Sequence, residues 1–214
     1  MAELDNQKSP YSIEPLTIQI GSILKSPLTI SNGGIEWKKR QWDLDNIDKI
    51  RWGATKLSSH SYLYYVSFGD PERETTIEIR SREEYEKFIN RLWNSVGNRL
   101  LVKFLQNMAA GKTYHFGSWQ KELVEDRGVR VPSKSSTSPD DYVLHSWSSF
   151  QFGGQNGKFI IYSMFDEKVN CVWDYKADNN IHVLESAMKL YRQEVSRLQR
   201  ITGDRAPRMS SLLL

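Results

Sequence analysis

One stretch of this chain recurs at a constant offset of 100 positions, and that repeat limits the fold more than any other feature. Trp42, Leu44, Ile47, Ile50, Trp52 and Gly53 line up with Tyr142, Leu144, Trp147, Phe150, Phe152 and Gly153. The correspondence starts further upstream, where Ile20-Gly21-Ser22 matches Phe116-Gly117-Ser118 and the turn Asn32-Gly33-Gly34-Ile35 matches Asp126-Arg127-Gly128-Val129. Like residues at a fixed spacing occupy like positions on a pleated strand, so the chain is read as a duplicated fold unit. A repeat of this kind identifies architecture and names no chemistry.

The 214 residues suffice for two domains of roughly 100 residues each, a size at which one core is comfortable. The apolar share is 39%, with 7 Trp and 10 Tyr, enough for both cores. Charge is spread evenly: positions 1 to 110 hold 15 basic and 14 acidic residues, and the remainder hold 14 and 12. Neither half carries the strong basic field of a nucleic-acid binder, so that partner class is disfavoured. Cys171 is the only cysteine and lies in the alternating run Val169, Cys171, Trp173, which reads as one buried face of a strand. The N-terminal residues show no apolar leader and no run approaches the roughly 18 apolar residues of a membrane span, so a soluble, cytoplasmic protein is expected.

Strands dominate the first half. Leu16, Ile18 and Ile20 alternate; Leu28 and Ile30 lead into Asn32-Gly33, a dipeptide suited to the positive φ angles of a two-residue hairpin. Further strands are expected over 47–55, 62–68 and 75–80, separated by Ser58-Ser59-His60 and Gly69-Asp70-Pro71. Ser81 with Glu84 three residues on forms a capping box, and apolar residues at helical spacing run from Tyr85 to Met108, past Gly97, to a stop at Gly111. The second half repeats the plan with strands over 143–152, 159–164 and 169–173, then a helix from about Asn180 that stops at Gly203. Residues 132–141 (PSKSSTSPDD) read as a polar exposed loop.

The strand order, the hairpin through Asn32-Gly33-Gly34, the run Trp42-x-Leu44-x-x-Ile47-x-x-Ile50 and the closing amphipathic helix resemble the pleckstrin-homology-like domain. The segment WDLDNIDKIRWG is similar to a stretch of bacterial members in which an aromatic and two aliphatic residues enter the barrel. The resemblance implies an α+β fold of two tandem PH-like barrels of antiparallel strands, each followed by a long C-terminal amphipathic helix. It divides the chain into a flexible arm (1–14), a first domain with the linking helix (15–111), a second domain (112–203) and a flexible tail (204–214). It also implies a non-enzymatic adaptor that binds a protein or peptide partner, either by strand addition at a barrel edge or in the groove beside a helix. An anionic membrane surface is the alternative partner that the family suggests.

Candidate contacts are Trp37, Lys38, Lys39 and Arg40, where an indole stands beside three cations. The competing role for these lysines is protection of a strand edge against aggregation. Leu100, Leu101, Phe104, Leu105 and Met108 need cover, and a homo-oligomer seam is one source of it. No catalytic, metal or cofactor site is expected. Gly111-Lys112-Thr113 lacks the earlier glycine of a phosphate loop, since position 106 is Gln106, and a helix precedes it. His60, His115, His145 and His182 show no metal-ligand spacing, and His145 and Ser146 point to opposite faces of a strand. Asp140-Asp141 reads as turn chemistry, and Trp119 beside Lys121 as a surface aromatic.

Overall fold

The structure is a computed structural model, which describes residues 14–21, 25–114, 116, 123–132, 142–166, 169–202 and 208–213. It is an α+β protein of four antiparallel sheets. In the first half β1 (Leu16–Ile20), β2 (Ser26–Ser31), β3 (Gly34–Trp37) and β4 (Arg40–Trp42) form one sheet in that order. A single 3-10 turn, Leu44–Asn46, follows, capped by Asp43, whose carboxylate accepts the Asp45 N–H at 3.0 Å. The chain then enters a second sheet of β5 (Lys49–Lys56), β6 (Tyr62–Gly69) and β7 (Glu74–Ile79).

The second half repeats this sequence of events. β8 (Leu123–Glu125), β9 (Gly128–Pro132) and β10 (Tyr142–Ser146) pair in the order β10-β9-β8. A 3-10 turn, Trp147–Ser149, capped by Ser146, leads to β11 (Phe150–Gln155), β12 (Lys158–Ser163) and β13 (Asn170–Asp174). The offset of 100 relates buried positions: Ile47, which follows the first 3-10 turn, and Trp147, which opens the second, are both buried, and Ile50 and Phe150 both enter the core at the start of the next strand. Among the described residues the sheets remain separate, so strand pairing closes no barrel where two closed barrels were expected. The physical reason is the 3-10 turn in each half, which redirects the backbone out of register with the preceding strand; side-chain packing then joins the layers.

The Asn32-Gly33 hairpin forms, with Ser31 opposite Gly34, but the left-handed backbone angles fall elsewhere. Gly34 has φ 125°, and a Cβ there would lie 2.3 Å from the Trp42 carbonyl oxygen, so only glycine fits. A second two-residue hairpin, which the sequence pattern did not reveal, joins β3 to β4 with Trp37 opposite Arg40. Its central residues, Lys38 and Lys39, take φ 47° and 63°.

Helix α1 (Arg82–Leu92) starts as the capping pattern predicts: the Glu84 N–H donates to Ser81 Oγ at 3.2 Å. The reciprocal half of the box is diverted, because Glu84 Oε1 accepts from the Gln19 N–H at 3.5 Å and ties the helix to β1. Tyr85, Phe88 and Leu92 are buried. A π-helical turn, Trp93–Gly97, links α1 to α2 (Asn98–Ala109), and Gly111 ends the run with φ 72°. A Cβ on Gly97 would sit 2.2 Å from the Trp93 ring, so the missing side chain is what lets the indole lie back along its own helix.

The apolar face of α2 is covered within the chain itself. Leu100, Leu101, Phe104, Leu105 and Met108 are all buried, covered by α3 (Ile181–Thr202) and by a 3-10 turn at Met209–Leu213. In that turn Met209 is fully buried and its N–H donates to the Asp126 carbonyl at 3.0 Å. The driving force is apolar burial, since Met209 and Leu212 have nowhere else to leave water. Cys171 and Trp173 are buried as their alternation predicts, and the Trp173 indole N–H donates to the Phe116 carbonyl at 2.9 Å. The segment 133–141, with Asp140-Asp141, as well as Trp119 and Lys121, lies outside the described residues. Among the described residues no helix is long and apolar enough to cross a membrane.

Candidate functional site

Trp37, Lys38, Lys39 and Arg40 are brought together at the tip of the β3–β4 hairpin. The three cations are exposed, Trp37 is half-buried, and Lys38 Nζ lies 5.2 Å from the centre of the Trp37 ring. A shallow depression of about 500 Å³ runs beside them and includes Glu36 and Pro27. The turn has both central residues at positive φ, a geometry that normally selects Asn-Gly. Two lysines there cost about 1 kcal/mol each, so the charge is retained against the local backbone preference.

A second region is built where the two halves meet. Asn180 has φ 63° and presents both its backbone and its side chain to the outer edge of β5. Its N–H donates to the Ile50 carbonyl at 2.9 Å, its Oδ1 accepts the Ile50 N–H at 3.0 Å, and its Nδ2 donates to the Asp48 carbonyl at 2.7 Å. One residue thereby imitates a short piece of added strand. Two positions on, His182 Nε2 donates to the Trp52 carbonyl at 2.9 Å. The imidazole stacks on Trp52, with centroids 4.0 Å apart and planes 4° apart, and Tyr175 covers its other face at 4.6 Å. Arg51 closes the seam by donating to the Lys176 and Ala177 carbonyls at 2.6 and 3.0 Å.

Glu185 supports this stack from α3. Tyr175 Oη donates to it at 2.8 Å, Lys189 Nζ lies 2.6 Å away and His182 Nδ1 lies 3.7 Å away. Burial pushes the Glu185 carboxyl up, but the bonds from His182, Lys189 and Tyr175 outweigh it and hold the group at about 2. Burial and the same carboxylate raise the Tyr175 hydroxyl well above the usual phenol range.

Among the described residues the matching edge in the second half is open. β11 is an edge strand of its sheet among the described residues. Phe150 faces Ser163 across the ladder, and the Met164 N–H donates to the Ser149 carbonyl at 2.8 Å, so Ser149, Gln151 and Gly153 bond inward. By alternation Phe152 and Gly154 aim their backbone groups outward, as Ile50 and Trp52 do one repeat earlier, whereas the Phe150 N–H donates to the Trp147 carbonyl within the 3-10 turn. Comparison with protein-family models and with curated proteins found no match for this chain.

A cleft of about 850 Å³ separates this free edge from α3. Arg192 lies over the Phe152 ring at 4.1 Å, a planar group stacked on an aromatic in the manner of His182 on Trp52. Lys189 and Arg197 line the same cleft but are ion-paired to Glu185 and Glu194. Arg192 makes no ion pair among the described residues. Sequence reasoning singled out none of this as a site, although Trp52–Phe152 and Gly53–Gly153 stood in the repeat. The signal that marks the cleft, one edge covered and its copy bare, exists only once the helix is placed. Among the described residues no group of three His, Cys, Asp or Glu side chains is arranged to hold a metal ion.

Proposed function

We propose that this chain is a non-enzymatic adaptor built of two tandem PH-like units, which binds an extended segment of a partner protein along the β11 edge beside α3. The observation that carries the reading is the difference between the two copies of one strand. In the first half the outward backbone groups of Ile50 and Trp52 are taken by Asn180 and His182 of the same chain. In the second half the Phe150 N–H is taken by the Trp147 carbonyl of its own turn, and Phe152, the counterpart of Trp52, lines a cleft unfilled among the described residues, with Arg192 at its wall. An added strand gains affinity from main-chain hydrogen bonds, and the Arg192 guanidinium favours a carboxylate on the incoming segment. The same proposal places the chain in the cytoplasm.

The test is selection of random peptides displayed on phage against the intact chain. Enrichment of extended, acidic sequences is expected. Binding should fall at least about tenfold in Arg192→Glu, which reverses the cleft charge, and in Gly154→Pro, which removes an outward N–H without touching the inward ladder. Selection of no sequence, or undiminished binding to both folded variants, refutes the reading.

A second reading rests on the β3–β4 tip, where three exposed cations flank Trp37 on a backbone unsuited to lysine. It assigns that hairpin to an anionic membrane surface, with about 1 kcal/mol per cation near the surface. Co-sedimentation with phosphatidylserine vesicles that is lost in the Lys38→Glu/Lys39→Glu double variant supports it; sedimentation unchanged by that variant removes it.

A further inference from the structure

A cavity of about 520 Å³ lies at the joint between the halves, bounded by the start of β5, by α2, by the segment leaving α2 and by the turn into α3. One wall is aromatic. Phe104 meets Tyr114 and Phe116 edge-on, with ring centroids 5.0 and 5.7 Å apart, and Leu100 and Val183 complete the apolar lining. The other wall carries Asp48 and Asn179, and each has a buried side-chain oxygen, Oδ1, with no hydrogen-bond partner among the described residues.

Both orphan atoms are acceptors, and an unpaired buried acceptor is costly to leave unmade. The cation adjacent to Asp48 in the chain does not relieve it, because Lys49 Nζ donates to the Pro71 carbonyl at 3.2 Å. Lys103 lines the cavity too but is exposed. An anion is disfavoured by the Asp48 carboxylate, and a purely apolar guest would leave both oxygens bare. A group rich in N–H donors and positively charged satisfies them, and the rings opposite favour a cation or a flat apolar body.

We propose that this cavity binds a small organic cation, an ammonium or amidinium head carried on an aromatic or aliphatic body. The head is held by Asp48 and Asn179 and the body by Phe104, Phe116 and Val183. Because these residues come from both halves, the occupant staples the joint, independently of the β11 cleft.

The experiment is an NMR titration of the intact chain with 2-phenylethylammonium, alongside its neutral counterpart 2-phenylethanol. Saturable shifts confined to Phe104, Phe116, Val183 and the Asn179 side-chain amide are expected, with the alcohol binding at least about tenfold more weakly. Asp48→Asn should erase that preference while the melting temperature is kept. Equal binding of amine and alcohol overturns the proposal, since the orphan oxygens are then met by water. Absence of saturable shifts at millimolar probe, or shifts centred on Phe152, overturns it as well. The comparison of amine with alcohol on the unaltered chain decides the matter even if Asp48→Asn fails to fold.

Discussion

Replacing Asn180 tests whether the two halves are bonded into one body. In Asn180→Ala the Ile50 N–H and the Asp48 carbonyl lose their side-chain partners, and Ile50 is fully buried. Leaving two such groups unpaired costs about 2–3 kcal/mol together, because water reaches them only in part. Alanine must also adopt φ 63°, a left-handed angle that adds about 1 kcal/mol for a residue with a Cβ. The expected loss is therefore about 3–4 kcal/mol, a large share of the stability of an ordinary domain. Asn180→Gly separates the two causes, since glycine adopts the angle freely and should lose only the hydrogen-bond part, about 2–3 kcal/mol. Urea unfolding followed by tryptophan fluorescence is the suitable assay, because Trp52 lies against His182 at the seam. Two variants within about 0.5 kcal/mol of the parent, or an alanine variant no weaker than the glycine one, would refute the reasoning.

Three further outcomes are expected. Glu185 has a folded-state pKa of about 2 against an ordinary value of 4.5, so its contribution is present above pH 4.5 and is lost as pH falls towards 2. Discounted for solvent screening of this partly exposed group, that contribution is about 1–2 kcal/mol, and urea midpoints measured between pH 6 and pH 2.5 should fall by less in Glu185→Gln than in the parent. Gly97→Ala would place a Cβ 2.2 Å from the Trp93 ring, and thermal unfolding should show a net loss of about 1–2 kcal/mol despite the better helix propensity of alanine. Lys38→Asn with Lys39→Gly should raise the melting temperature by removing two left-handed lysines, a gain of about 1 kcal/mol; an unchanged or lower value contradicts the strain assigned to that turn.

The open β11 edge explains why a duplicated chain need not have two equivalent sites. Duplication supplies two copies of the same edge, and the turn from β13 into α3 occupies the first of them. Asn180 and His182 act on β5 as a ligand held at very high effective concentration, so competition from outside is weak there. The second copy has no third unit behind it among the described residues, and its edge stays available.

What the sequence determined by itself is the local and periodic part of this protein. Alternation placed β1, β6 and β13, the Ser81 cap started α1 at the right residue, and the offset of 100 paired Ile50 with Phe150 on equivalent core positions. These follow from interactions within a few residues and from which side of a strand or helix is apolar, and both are written in the order of residues. Tertiary structure decided everything that depends on what arrives from far along the chain. Leu100, Leu101, Phe104, Leu105 and Met108 read as needing cover, with a homo-oligomer seam as one source, and it is Met209 and α3 of the same chain that bury them. Lys38 and Lys39 read as an ordinary basic run until strand pairing forced both into a left-handed turn. The covered β5 edge, the bare β11 edge and the cavity beside Asp48 each depend on residues more than thirty positions apart, and spacing within a sequence carries no record of such meetings.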